Sequence, residues 1–128
     1  MPAPRGSRGE TILIVDDEPA VSTAVARLLR QQGYDVLEAL DAAAARETLA
    51  AKGSAVELVL LDHSMPNESG PEALPSLRAL TDAPIVLFTG GVAEMPPGAA
   101  GLLQKPVDTA ELLQAVRDTI ARGRLPRR

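Results

Sequence analysis

Acidic residues stand directly after two apolar runs of the sequence, where they could share one chemical task. Asp16 and Asp17 follow the aliphatic and β-branched run 11–15, and Asp62 follows the apolar run 56–61. Three carboxylates that a fold brings close together repel one another unless a cation lies between them. Oxygen ligands without histidine or cysteine favour a hard ion such as Mg²⁺. These residues therefore indicate a divalent metal site.

Two further polar residues end later apolar runs. Thr89 closes the run 83–88, and Lys105 follows the last short run, directly before Pro106. Phosphoryl transfer needs positive charge to hold the phosphoryl oxygens and a donor that can follow the phosphate afterwards. Mg²⁺, an ammonium and a hydroxyl would meet those needs, with Asp62 as the nucleophile. Lys105 is one of only two lysines in the chain, which argues against a merely solubilising charge.

The elements that must position these residues alternate along the chain. Apolar runs typical of buried strands recur, and segments with helical apolar spacing lie between most of them. This alternation predicts a parallel sheet with helices on both faces, because each parallel connection has to cross over. The carboxyl ends of such strands share one edge, so the polar residues are expected to converge there. The predicted strands are 11–15, 34–40, 56–61, 83–88 and 101–104.

Capping residues and glycines delimit the predicted helices. A proline or an aspartate suits the first turn, and a glycine suits the end. An aspartate followed three residues later by a glutamate resembles a capping box. These residues are Pro19 and Gly33 for the first helix, Asp41 and Gly53 for the second, and Asp108 with Glu111 for the last.

The start of the third helix depends on how two prolines are accommodated. Leu74, Leu77 and Leu80 recur at helical spacing after the loop 64–69. Pro75 should disturb this helix if it begins as early as Pro71, because proline lacks the backbone donor of a helix interior.

Length and composition suit one domain. The chain has 128 residues, 45% of them apolar, and a formal net charge of −4. A chain of that size can form a stable hydrophobic core without disulfides or a structural metal. No apolar stretch is long enough to span a bilayer, and the first ten residues lack the apolar segment of a signal peptide. We expect a flexible lead-in at 1–10, one domain at 11–122, a basic tail at 123–128, and a cytoplasmic location.

Charge and cysteine content exclude several classes of site. The eleven arginines are scattered except near the carboxyl terminus, so direct nucleic-acid binding is not expected. The absence of cysteine excludes disulfides, thiolate zinc sites and cysteine nucleophiles. Neither a Walker A loop nor a G-x-G-x-x-G run is present, which argues against nucleotide or flavin binding.

Four motifs in order resemble those of two-component receiver (response regulator) domains. They are the runs 12–19 (ILIVDDEP), 60–66 (LLDHSMP), 88–90 (FTG) and 104–106 (QKP). The resemblance covers residues 11 to about 121. It implies a doubly wound, flavodoxin-like five-stranded parallel sheet with strand order 2-1-3-4-5, for which the receiver fold is a standard example.

The resemblance also implies a role for each polar residue. Asp62 matches the acceptor of a phosphoryl group from a histidine kinase or a His phosphotransfer protein. The resemblance thus implies that the chain is a signalling phosphoacceptor and not an enzyme. The remaining roles are a direct Mg²⁺ ligand for Asp17, a ligand acting mainly through water for Asp16, a backbone carbonyl ligand for Ser64, the phosphate-pairing ammonium for Lys105 and the mobile hydroxyl for Thr89.

The sequence departs from the receiver pattern between the fourth and fifth strands. The segment from Thr89 to Lys105 is several residues short, and its prolines and glycines are poor helix formers, so the fourth helix of receivers is expected to be short, irregular or missing. Leu102 stands where receivers usually carry a switch aromatic. The dimer that many regulators form through this region is therefore in doubt, and a monomer is expected.

Smaller residues near the site leave alternatives open. His63, the only histidine, is expected to pack locally rather than to carry phosphate. Ser64 and Gly91 are small, which fits either an unobstructed phosphoryl group or simple tight turns.

Other contexts and functions remain beside the leading interpretation. The domain could act alone or belong to a hybrid histidine kinase, which the run 9–13 slightly favours. A phosphorylation-independent interaction module is one alternative. A haloacid-dehalogenase-type phosphatase is another, although Ser64 stands where that family needs its second aspartate.

Overall fold

A computed structural model describes residues 9–91 and 94–123 of the chain. Five parallel strands form one sheet in the order β2-β1-β3-β4-β5, which confirms the predicted fold class. The expected lead-in and basic tail lie almost entirely outside the described residues. The elements are β1 Thr11–Val15, α1 Pro19–Gln31, β2 Asp35–Ala39, α2 Ala42–Lys52, β3 Val56–Asp62, α3 Gly70–Arg78, β4 Ile85–Thr89, β5 Gly101–Gln104 and α4 Thr109–Arg122.

The sheet buries both of its faces. Along β1, Leu13 faces one apolar cluster with α2 and α3, and Ile12 and Ile14 face the other with α1 and α4. All three side chains are at most 4% exposed. Because successive strand side chains point to opposite faces, a strand buried on both sides has to be apolar throughout. This explains the continuous apolar runs in the sequence.

The predicted caps begin the helices at the expected places. The Asp41 carboxylate accepts a hydrogen bond from the Ala44 N–H at the start of α2. The Asp108 carboxylate accepts from two backbone N–H groups in the first turn of α4. Pro19 is the first residue of α1. These local contacts satisfy donors that a helix start would otherwise leave unpaired.

Helix α3 departs from the sequence prediction. It begins at Gly70 and continues through Pro75 to Arg78, so Leu80 lies beyond its end and packs against the core outside the helix. A full capping box starts the helix: the Glu72 N–H donates to Ser69 Oγ, and the Ser69 N–H donates to the Glu72 carboxylate. The box and the buried leucine face outweigh the single backbone hydrogen bond that Pro75 removes.

The connection between β4 and β5 contains no helix among its described residues, 90–91 and 94–100. Gly98 has a positive φ of 94° and lies against the Leu74 and Arg78 side chains of α3. Ala99 and Leu102 pack on the edge of the α2–α3 cluster. The end of the shortened connection thus packs against α3, and its described residues form no helix, as its prolines and glycines predicted.

Within residues 9–91 and 94–123, no helix has both the length and the apolar character needed to cross a membrane.

Candidate functional site

The predicted site residues meet at the carboxyl edge of the sheet. Asp16 follows β1, Asp62 ends β3, and Lys105 follows β5. These strands are parallel, so their carboxyl ends lie on one edge although the residues are far apart in sequence. The edge lies where the strand order reverses between β1 and β3. The fold therefore brings together residues from three separate loops.

Lys105 links the two buried carboxylates of the site. Its Nζ donates to Asp62 Oδ1 at 2.9 Å and lies 3.7 Å from Asp16 Oδ2. Asp16 and Asp62 are 3% and 5% exposed. The other oxygen of Asp16, Oδ1, accepts from the Glu18 N–H at 2.9 Å, which fixes that carboxylate at the start of α1. A lysine ammonium so placed offsets part of the negative charge at the edge.

The three aspartates form a cluster suited to a hard cation. Asp16, Asp17 and Asp62 each offer one carboxylate oxygen, and these oxygens all lie within 4.8 Å of one another. Ligand distances of about 2.0–2.1 Å place opposite oxygens of an octahedral Mg²⁺ about 4.2 Å apart. Small side-chain movements would therefore fit the cluster to Mg²⁺. Three carboxylates against one ammonium also leave net negative charge for a cation to neutralise.

The environment of Asp62 disfavours its charged form. Burial raises the pKa of the Asp62 carboxyl above its ordinary value, and the charges of Asp16 and Asp17 act in the same direction. The Lys105 ammonium opposes this change through its hydrogen bond and its charge. Burial lowers the pKa of Lys105, but the hydrogen bond to Asp62 and the charges of Asp62 and Asp16 outweigh burial and raise it. The ammonium is therefore the stable form of Lys105.

Thr89 lies at the same edge, with its hydroxyl turned toward the following loop. It comes one residue after Phe88, the residue of β4 that pairs with Asp62 of β3. Its Oγ1 donates to the Gly91 carbonyl at 3.2 Å and accepts from the Gly91 N–H at 3.3 Å. The Thr89 carbonyl accepts from the Lys105 N–H at 2.7 Å, which joins the ends of β4 and β5.

Ser64 and His63 begin the loop after Asp62. Ser64 is exposed, and His63 is half-buried with its Nδ1 3.5 Å from Ser64 Oγ. The His63 N–H donates to the Phe88 carbonyl at 2.7 Å, which extends the pairing of β3 with β4 beyond Asp62.

Sequence reasoning missed the part that Gly70 plays at this edge. A Cβ at Gly70 would lie 2.5 Å from the Asp62 carbonyl oxygen and 3.1 Å from His63 Cα. Only glycine lets α3 approach the end of β3 so closely. The sequence shows a glycine between the Ser69 cap and Pro71, but nothing local reveals that β3 is its neighbour.

The fold and the acidic edge define a receiver domain, and comparison with known families agrees. The family model described as "Response regulator receiver domain" matches residues 12–117. The chain belongs to this family.

Three relatives illustrate the similarity in sequence and in structure. The transcriptional regulatory protein YvrH of Bacillus subtilis is 35% identical over 119 residues, which cover 88% of this chain and 49% of that protein. The receiver domain of the hybrid histidine kinase CckA is 35% identical, with a TM-score of 0.77 over 86% of this chain and 98% of that one. The receiver of the sensor kinase PA1611 from Pseudomonas aeruginosa is 26% identical, with a TM-score of 0.79 over 89% and 99% of the two chains. That structure has magnesium coordinated in its active-site cleft.

The chain spans about half the length of the curated relatives it matches. Their names describe transcriptional regulatory and sensory transduction proteins.

Proposed function

We propose that this chain accepts a phosphoryl group on Asp62 within a two-component phosphorelay. The observation that carries the proposal is the placement of the Lys105 ammonium at 2.9 Å from Asp62, beside the oxygen cluster of Asp16, Asp17 and Asp62. This combination supplies a nucleophilic oxygen and fixed positive charge at one edge, as phosphoryl transfer requires.

The transfer exchanges one bond to phosphorus for another. A carboxylate oxygen of Asp62 attacks the phosphorus of a phosphohistidine. The new O–P bond forms an acyl phosphate while the P–N bond breaks, and the departing imidazole keeps the electron pair and takes up a proton from solvent. The Asp62 carboxylate needs no general base, because it carries no proton when it attacks.

The acidic cluster would hold the metal that supports this transfer. In this proposal Asp17 and Asp62 are direct ligands of Mg²⁺, Asp16 acts mainly through water, and the Ser64 backbone carbonyl is the third protein ligand. The ion supplies charge neutralisation for the phosphoryl oxygens. The oxygen-only donor set of the cluster supports this assignment.

Lys105 and Thr89 act on the phosphoryl group itself in this proposal. Lys105 already lies within hydrogen-bond distance of Asp62, so its ammonium can pair with a phosphoryl oxygen held there. The Thr89 hydroxyl would exchange its contacts with Gly91 for a phosphoryl oxygen. Because Gly91 lies in the β4–β5 connection, that exchange would report the state of Asp62 to this connection and to β5, where Leu102 stands in place of the switch aromatic.

The partner we propose is a histidine kinase or a His phosphotransfer protein in the cytoplasm. A groove of about 700 Å³ runs between α1 and the segment that leads into α4. Val21, Val25, Leu28 and Val107 line it, and so does Lys105. A donor must bring its phosphohistidine to Asp62, so its surface has to cover this neighbourhood. The apolar lining suits a helix face of the donor.

Acetyl phosphate with Mg²⁺, followed by intact mass measurement, tests the proposed acceptor. The wild-type chain should gain one phosphoryl group, and the gain should require Mg²⁺. Asp62→Asn should abolish it. Asp35→Asn is the matched control, because Asp35 is an exposed aspartate at the amino end of β2, away from the site.

The mass measurement and a phosphatase assay separate the alternatives. No mass gain in the wild-type chain would favour an interaction module that works without phosphorylation. Steady turnover of p-nitrophenyl phosphate would favour a phosphatase. A phosphoryl group retained by Asp62→Asn would overturn Asp62 as the acceptor.

A further inference from the structure

The loop 63–69 connects the proposed phosphoacceptor to α3, and backbone contacts fix both of its ends. At its start the His63 N–H donates to the Phe88 carbonyl at 2.7 Å. At its end the Gly70 N–H donates back to the His63 carbonyl at 2.9 Å. Met65 is 9% exposed and belongs to the α2–α3 cluster. The two ends are thus held, and the chain between them has to form a compact bend.

That bend contains a conformation that most residues avoid. Asn67 has a φ of 72°, in the left-handed region, and the Glu68 N–H donates to the Pro66 carbonyl at 2.8 Å. A left-handed residue other than glycine costs free energy and persists where surrounding contacts hold it. Contacts from outside the loop's own backbone would therefore add to what holds this bend.

Arg46 of α2 supplies such support from across the surface. Its Nη1 and Nη2 donate to the two carboxylate oxygens of Glu68 at 2.9 and 3.0 Å. The same Nη1 lies 3.3 Å from Ser76 Oγ of α3. The Arg46 and Glu68 side chains are 34% and 33% exposed, so the pair is partly shielded from solvent. A paired, two-point contact of this kind fixes direction as well as distance.

We propose that Arg46 and Glu68 are positioning residues for the metal site. By holding Glu68 against α2 and α3, Arg46 keeps the bend at 65–68 in place. This in turn holds the backbone of Ser64, two residues after Asp62, in the orientation that binds Mg²⁺. The inference rests on the proposed function, in which the Ser64 carbonyl is a ligand.

The sign of the effect distinguishes positioning from simple electrostatics. Arg46 is a cation, so its loss would by charge alone favour Mg²⁺ binding or leave it unchanged. Loss of Glu68 would by charge alone weaken it. Positioning predicts that both losses weaken Mg²⁺ binding, because either one releases the loop. Arg46→Met is therefore the decisive variant.

Calorimetric titration of the full chain with MgCl₂ tests the inference. We expect Arg46→Met and Glu68→Gln each to raise the Kd for Mg²⁺ about tenfold, the lower end of the range for residues that orient metal ligands. The double variant should be no weaker than either single variant, because both remove the same contact. In the metal-free protein, amide hydrogen exchange of Ser64, Met65, Asn67 and Glu68 should become faster in each variant.

Arg30→Met is the matched control. Arg30 of α1 pairs with Glu38 of β2 at 3.7 Å, so this variant also removes one arginine and one ion pair, but without touching the loop. Its Kd for Mg²⁺ should stay within about twofold of wild type. Arg46→Lys keeps the charge but not the two-point contact, and should fall between wild type and Arg46→Met.

Three results would overturn the inference. One is tighter or unchanged Mg²⁺ binding in Arg46→Met while the wild type binds normally. Another is loss of the folded state in all of the variants at Arg46 and Glu68, since the pair would then serve the fold alone. The third is a wild-type chain that neither binds Mg²⁺ nor accepts phosphate, which would remove the proposed function as well.

Discussion

The environment of Asp62 disfavours the ionised carboxylate that the proposed reaction uses. Burial and the carboxylates of Asp16 and Asp17 raise its pKa, and Lys105 offsets this effect only in part. A group tuned for stability alone would be neutral or fully paired. Sites that perform chemistry often retain such a cost, because the reactive charge has to remain available.

This cost predicts that Asp62→Asn stabilises the metal-free chain. The folded-state pKa of Asp62 is raised above the unfolded value of 3.8. Ionising Asp62 therefore costs folding free energy above the raised pKa, and this cost disappears as the pH falls below 3.8. Urea unfolding in EDTA should show a gain on the order of 1 kcal/mol at pH 7, and the gain should shrink toward pH 4.

The control for this comparison is again Asp35→Asn. Asp35 is exposed, so the free energy of unfolding of this variant should stay within about 0.5 kcal/mol of wild type at neutral pH. A loss of stability in Asp62→Asn at pH 7 would show that the hydrogen bond from Lys105 outweighs burial and repulsion.

At the scale of elements, the approach of α3 to β3 depends on one glycine. Gly70→Ala would place a Cβ 2.5 Å from the Asp62 carbonyl oxygen, so either the helix or the strand end has to shift. We expect a loss of about 2–3 kcal/mol in urea unfolding, at the upper end of the usual cost of overpacking. Gly90→Ala is the control, because a Cβ there meets nothing within 4 Å. Equal stability of the two variants would contradict the close approach.

The surface of α1 should affect the rate of phosphoryl transfer from a protein donor. Ala24 is exposed and lines the groove beside Lys105. Ala24→Gln should lower the rate of transfer from a phosphorylated histidine phosphotransfer protein roughly tenfold, which corresponds to about 1.4 kcal/mol of interface free energy. Phosphorylation by acetyl phosphate should not change, since that small donor needs no groove.

Ala50→Gln on α2 serves as the control, because Ala50 is an exposed helical alanine that does not line this groove. It should leave both rates unchanged. A slower reaction of Ala24→Gln with acetyl phosphate would instead indicate damage to the site.

In the molecule as a whole, the charged groups of the candidate site and the apolar packing lie in different regions of the sheet. The two apolar clusters cover the faces, and the carboxylates and Lys105 gather at one edge. The edge can therefore carry unbalanced negative charge while the burial of the faces maintains the fold.

Metal binding at that edge should raise the stability of the entire domain. A ligand present at 100 times its Kd, and bound only by the folded chain, adds about 2.7 kcal/mol. In a domain of this size that corresponds to an increase of about 10 °C in Tm. Thermal melts in MgCl₂ should show this increase, whereas NaCl of equal ionic strength should not. An equal Mg²⁺ effect in Asp17→Asn would contradict the assigned ligand.

Local patterns in the sequence predicted most of the elements and the grouping of the acidic residues at one edge of the sheet. Doubly buried strands are continuous apolar runs, so the strands and the acids that follow them were visible in local patterns. The sequence signals of the caps at Asp41 and Asp108 are likewise local, because a cap involves only neighbouring backbone donors. The poor helix formers between Thr89 and Gly101 correctly predicted that the described residues of this connection, 90–91 and 94–100, form no regular helix.

Contacts between distant segments became visible only in the folded chain. The 2.9 Å contact of Lys105 with Asp62 joins residues 43 positions apart, and Arg46 meets Glu68 across 22 positions. Helix α3 continues through Pro75 because its buried face, together with its local cap, outweighs one lost hydrogen bond, and the burial of that face depends on packing against other elements. Packing energies of this kind arise between elements, so no single stretch of sequence contains them.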